Sequence, residues 1–215
     1  MRRLSDLLLA LAAVAGITLL YAGVTQLSGT PAASGLLGHT LGVVGLVMML
    51  MTETLYSLRK RAMRRPRGSM RAWLRFHIFT GIVGPYLVVL HSAWNFNGLA
   101  GALTAMTGIV VLSGFVGRYI YTAVPRTADG AVIEAAELQV LLDDARRLAG
   151  GAAGTPAVAA ATRRLRTLER QMSALRWARR TLATWHAVHI PLGAALFAMA
   201  FAHAAAALYY ATLLR

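Results

Sequence analysis

The sequence predicts an all-α fold, an integral membrane helical bundle of five transmembrane helices with a cytoplasmic helical hairpin between the fourth and the fifth. Three observations carry that expectation. Hydrophobic residues make up 57% of the 215-residue chain, above the roughly 45–50% of ordinary soluble domains. They fall in blocks near residues 7–27, 36–57, 73–94, 100–123 and 184–211, each long enough for the ~20 residues that a ~30 Å hydrocarbon core requires. The basic residues alternate between connections. Arg59, Lys60, Arg61, Arg64, Arg65, Arg67 and Arg71 crowd the second, and ten arginines from Arg126 to Arg180 crowd the fourth, whereas the first and third hold neither Lys nor Arg. This is the positive-inside pattern. It places the N-terminus in the cytoplasm and the C-terminus in the periplasm of a multi-pass protein of the cytoplasmic (inner) membrane. The net charge of +14 therefore points to a lipid bilayer and not to nucleic acid, because the charge sits beside the spans.

The first block follows Met1-Arg2-Arg3 and precedes Thr30-Pro31-Ala32-Ala33-Ser34, which partly imitates a secretory signal; its apolar run is longer than a signal core and reads as a retained span. The second block carries Gly35, Gly38, Gly42 and Gly45, a small-residue spacing suited to close helix packing in lipid. The third and fourth are joined by little more than Asn95 to Gly98, so they are antiparallel neighbours. Trp73, Trp94, Tyr119, Tyr121 and Trp185 stand near block ends, as an interfacial aromatic belt requires.

Residues 126–183 form a second region, distinct from the bundle of 1–125 and 184–215, and hold six of the eight acidic residues. Leu138, Leu141, Ala145 and Leu148 are spaced i, i+3, i+7, i+10, and Leu165, Leu168, Met172 and Leu175 repeat that spacing beyond Gly150-Gly151-Ala152-Ala153-Gly154. The pattern reads as a helical hairpin. Thr155-Pro156 supplies an N-cap followed by Pro at the first helical position, and the second arm is expected to run unbroken toward the last span as far as Pro191. No Gly-rich nucleotide fingerprint follows a strand pattern, so the hairpin is read as a packing or docking element.

All six histidines lie within or at the edge of the apolar blocks, where a polar side chain is costly. His77 and His91 are fourteen residues apart in the third block, and His189 and His203 repeat the interval in the fifth. At ~100° and ~1.5 Å per residue, fourteen residues return to within about 40° of the starting direction after a rise of about 21 Å. Each helix thus carries two imidazoles on one face. Topology levels His77 with His189 near the cytoplasmic side and His91 with His203 near the outer side, so two adjacent helices would clamp two stacked hemes. Bis-histidine iron leaves no open position, which favours electron transfer. His39, near the outer end of the second block, reads as a hydrogen-bond donor near the ligands, a heme-propionate partner or part of a quinone site. His186 is an alternative to His189, although the seventeen residues from His186 to His203 leave them about 100° out of line.

Gly81 and Gly84 flank this arrangement, either admitting a flat macrocycle or serving helix packing. Arg75 and Arg118, near the cytoplasmic end, either pair with heme propionates or anchor lipid phosphates. Glu53 offers proton relay or quinone contact, or pairs with Arg59. Met48, Met49 and Met51 read as packing. The absence of cysteine excludes disulfides, thiolate-bound clusters and c-type heme attachment within this chain.

These residues resemble the membrane diheme b cytochromes of the ferric reductase and NADPH oxidase type, whose third and fifth spans each contribute two histidines about a dozen residues apart. Trp73-Leu74-Arg75-Phe76-His77, Gly84-Pro85, His91-Ser92 and Gly117-Arg118-Tyr119-Ile120-Tyr121 are similar to strings in bacterial iron-reductase-like membrane cytochromes. The resemblance covers residues 36–125 and 184–208. It implies two b-type hemes, with His77 and His189 on the inner iron and His91 and His203 on the outer. Those enzymes carry a C-terminal flavin and nicotinamide module, whereas this chain stops at Arg215. Electrons are therefore expected from a separate cytoplasmic flavoprotein or iron-sulfur protein or from the membrane quinone pool, with a periplasmic c-type cytochrome as an outer partner. Cytochrome b561 proteins share the architecture, but their ligands are spread over four helices. Two readings compete. A histidine-lined divalent metal transporter requires carboxylates among the spans, where only Glu53 qualifies; a cofactor-free assembly subunit leaves the paired intervals unexplained.

Overall fold

A computed structural model describes residues 5–61, 70–124, 134–151 and 155–212. Arg2, Arg3, Arg64, Arg65, Arg67, Arg126 and part of the 150–154 turn lie outside the described residues, as does the side chain of Arg59. Among the described residues the chain is all-helical, with six helices and no strand: α1 Ser5–Ser28, α2 Leu36–Arg61, α3 Met70–His91, α4 Gly98–Thr122, α5 Ala135–Ala149 and α6 Pro156–Thr212. Five of them, all but α5, are long and apolar enough to cross a membrane. Large apolar side chains such as Leu19 (74% exposed), Leu112 (67%) and Leu208 (66%) face outward; contiguous apolar surface of this kind is intolerable in water and ordinary in lipid.

The chain divides into two compact units. The first comprises Met1–Val111 and Leu192–Arg215. Within it α3 packs against both α1 and α2. Gly45 and Gly84 bring the α2 and α3 backbones together: a Cβ at Gly45 would stand 2.8 Å from the Gly84 carbonyl oxygen, and one at Gly84 would stand 3.1 Å from that of Gly45. Backbone approach of this kind is how helices associate where lipid removes the hydrophobic drive between them. Hydroxyl pairs add to it, Thr52 Oγ1 with Thr80 Oγ1 and Thr18 Oγ1 with Tyr86 Oη, each 2.6 Å apart. Met49, Leu103 and Leu196 form a small apolar core.

α3 ends at His91, three residues before the apolar block does. The Ser92 hydroxyl donates to the Val89 carbonyl (2.7 Å), and Ala93 and Trp94 then take left-handed φ values of 47° and 63°. Such values are uncommon for residues other than Gly and stop the helix at once.

The second unit is Leu112–Pro191. Its core joins Leu138, Leu142 and Ala145 of α5 to Leu168, Met172, Leu175 and Ala178 of α6. The buried stripe on α5 follows i, i+4, i+7, whereas the sequence spacing placed Leu148 at its end. Leu148, in the last turn of α5, is 56% exposed, whereas Leu175 at the same i+10 place of its run on α6 is buried. The Thr155 cap is present, its Oγ1 accepting from the Val158 backbone N–H at 3.3 Å, with Pro156 opening the helix. α6 runs unbroken from the second arm into the last apolar block and continues beyond Pro191, 57 residues in all. A proline removes one backbone donor, which apolar membrane helices tolerate.

Candidate functional site

The outer histidines lie within the first unit. His91 closes α3, His39 sits in the first turn of α2 and His203 lies in the last third of α6. The imidazole centroids of His91 and His203 are 6.5 Å apart with their planes at 72°, and those of His39 and His91 are 6.4 Å apart at 58°. Two imidazoles bound on opposite sides of one metal ion, each with a metal–nitrogen bond of about 2.0–2.1 Å, have centroids roughly 6.3 Å apart. Both pairs meet that spacing. Burial separates them, since His91 and His203 are half-buried and His39 is exposed.

α2 sets the ring of His91. Its Nδ1–H donates to the Gly38 carbonyl at 2.8 Å. A carbonyl can only accept, so the proton is on Nδ1 and the Nε2 lone pair is left available. Gly42 lies against the same ring, where an added Cβ would stand 3.0 Å from His91 Cγ and Nδ1. The glycines read from sequence as packing residues thus also form the seat of a histidine.

His77, in the first turns of α3, donates from Nδ1 to the Thr52 carbonyl of α2 at 3.1 Å. Glu53 follows Thr52 and is half-buried. A Cβ at Gly81 would stand 3.4 Å from the Thr52 methyl, and one at Gly84 would press on Gly45, Met48 and Met49, so the α2–α3 contact occupies both glycines. Arg75 is exposed and Arg118 half-buried. Met49 belongs to the apolar core, and Met51 is 37% exposed.

His189 belongs to the second unit, where Ser113 and Trp185 hold it. Its Nδ1 lies 2.5 Å from Ser113 Oγ of α4. Trp185, one turn earlier on α6, stacks on it with centroids 4.5 Å apart and planes at 21°. The Trp185 Nε1–H in turn donates to the Ser113 carbonyl at 2.7 Å. Gly117 makes room: any Cβ there would collide with the Trp185 indole. His186 touches the same indole with centroids 4.8 Å apart at 57°. His77 and His189 fall in different units, and each is placed within its own.

Sequence reasoning missed Thr52, Ser113 and the positioning role of Trp185. The i, i+4 interval from Trp185 to His189 is the signal that would have found the last. Thr52 and Ser113 come from other helices and carry no local mark. Among the described residues no group of three or more His, Asp or Glu could hold a metal ion. No family model, curated protein or solved structure matches the chain.

Proposed function

We propose that the chain is a membrane diheme b cytochrome, similar to the transmembrane part of the ferric reductase and NADPH oxidase type, that carries electrons across the cytoplasmic membrane. The observation that supports this reading best is the state of the histidines. His77 and His91 each give their Nδ1 proton to a backbone carbonyl of α2, which orients the ring, fixes the tautomer and raises the basicity of Nε2, as the outer partners of metal-bound histidines do. The Nδ1 of His189 is hydrogen-bonded to the Ser113 hydroxyl, which can take the same role.

The donor set fits the group. Imidazoles in an apolar bundle without thiolates suit a noncovalent b-type heme, and the 6.5 Å between the His91 and His203 rings would let both hold one iron. His91 and His203 would hold the outer heme and His77 and His189 the inner, with His39 and His186 beside them as hydrogen-bonding partners. When bound, the hemes supply one-electron exchange between ferric and ferrous iron. The chain's own contribution is to hold the rings, exclude water with apolar helices and tune ligand basicity through Gly38, Thr52 and Ser113.

The five apolar helices are read as five spans, with residues 126–183 as a cytoplasmic hairpin that docks a flavoprotein or iron-sulfur donor. Half-buried Glu53, next to the carbonyl that holds His77, is the candidate proton group for a quinol. A periplasmic c-type cytochrome is the outer partner.

A reduced-minus-oxidised spectrum of the purified full chain, with pyridine hemochrome quantification, tests the reading. Two b hemes per chain are expected. No heme after expression with adequate heme supply would sink it.

A further inference from the structure

A feature independent of the histidines lies in the second unit, where α5 and α6 enclose an open groove of about 540 Å³. Its floor is apolar, closed by buried Leu142 and Met172, and its wall carries Arg146, Arg176, Trp177 and Arg180. Arg146 is engaged, 3.7 Å from both Asp143 and Glu169. Arg176 and Arg180 are exposed, stand four residues apart on one face of α6, and pair with no acidic residue among the described ones. Trp177, 50% exposed, lies beside them.

We propose that this groove is a binding site for the phosphate headgroup of an anionic phospholipid. The argument starts from charge. α6 carries seven arginines and one glutamate between Arg163 and Arg180, and the two arginines facing the groove without an acidic partner present guanidinium forks suited to phosphate oxygens. Depth then selects a lipid over a soluble anion. The continuous apolar stretch of α6 begins just after Arg180. A bilayer of ~40–45 Å with a hydrocarbon core of ~30 Å leaves a headgroup layer of roughly 5–7 Å on each side. Arg180 stands at the inner edge of that layer, and Arg176, about 6 Å further along the helix, at its outer edge. Trp177 between them is the residue type that settles at this level. The phosphate of a lipid anchored in the adjacent leaflet reaches both guanidiniums, with its glycerol against the indole.

The proposal rests on α6 being membrane-embedded and owes nothing to heme. Carbonate extraction of membranes tests that premise separately: release of the wild-type chain would overturn premise and proposal together. The proposal itself is tested on the purified full chain in neutral detergent, with lipid binding read by native mass spectrometry. Cardiolipin and phosphatidylglycerol are expected to remain bound where phosphatidylcholine is lost. The double substitution Arg176→Gln with Arg180→Gln should weaken anionic lipid binding about thirtyfold, the effect of removing two juxtamembrane cations. Arg163→Gln with Arg164→Gln removes the same charge outside the groove and should leave binding within about threefold of wild type. Equal losses in the two double variants would show diffuse attraction and overturn the site. So would displacement of the lipid by an equal concentration of inorganic phosphate, or loss of a co-purifying acidic protein with lipid binding unchanged.

Discussion

A histidine that coordinates through Nε2 must place its Nδ1 proton on an acceptor, and in a membrane interior a backbone carbonyl of a neighbouring helix is the nearest one. Gly38 and Thr52 provide it for His91 and His77, which makes the α2 backbone part of both sites. Single substitutions should separate them. His91→Ala or His203→Ala is expected to remove one heme, and His77→Ala or His189→Ala the other, each leaving about one per chain by hemochrome assay; loss of a heme in His39→Ala or His186→Ala would show the pairing to be wrong. Gly42→Ala adds a methyl 3.0 Å from the His91 ring, so the ring must give way. The low-spin iron signal of the outer heme should shift while the inner one is unchanged, whereas Gly108→Ala, with open space around it, should change neither. With Nε2 committed to iron, His189 Nδ1–H would donate to the Ser113 hydroxyl, and Ser113→Ala takes that partner away. A less basic imidazole stabilises ferric iron less, so the midpoint potential of one heme should rise, and affinity for that heme should fall by about 10–100-fold. The fourteen-residue histidine intervals were legible in sequence because residues on one helix obey its 3.6-residue period. The groups that orient them were not, since Thr52 and Ser113 are joined to their histidines across helices.

At the scale of elements, periodicity exposed the α5–α6 contact and misplaced its edge. Leu138 and Leu175 are almost fully buried, at 0% and 1%, and Leu148 is 56% exposed, although all three occupy equivalent positions in the sequence pattern. Leu148 and Leu175 share the i+10 place of their runs, but Leu148 falls in the last turn of α5, which ends at Ala149. Truncation therefore discriminates. Leu138→Ala or Leu175→Ala should destabilise the α5–α6 packing by about 2–5 kcal/mol and open residues 134–180 to trypsin, which has abundant arginines there. Leu148→Ala should cost under about 0.5 kcal/mol and leave the digestion rate at that of the wild type. Pro191 shows the opposite failure of local reading. Proline is a reliable stop in water, where the freed carbonyl competes for solvent. In α6 the helix runs on, because no water is present in lipid to reward an interruption.

For the whole molecule the decisive question is how many times the chain crosses the bilayer, and α1 decides it. Its sequence imitates a cleavable signal, yet in the fold it packs on α3 and its Thr18 hydroxyl meets the Tyr86 hydroxyl at 2.6 Å. Removal of α1 would leave a phenol without that partner within an apolar helix, at a cost of roughly 1–3 kcal/mol, and would strip one side of α3. A retained α1 makes five crossings and puts the termini on opposite sides; a cleaved one makes four and leaves both outside. The arginine-rich connections set the sign, since moving so many guanidiniums across the membrane is opposed at each of them. The full chain carrying an N-terminal tag should keep that tag, protected from protease added to intact spheroplasts. Alkaline phosphatase fused after Arg215 should be active, and the same reporter placed within residues 152–154 should be silent. Loss of the N-terminal tag from the mature protein, with the C-terminal reporter still active, would establish four crossings and an α3 without its α1 contact.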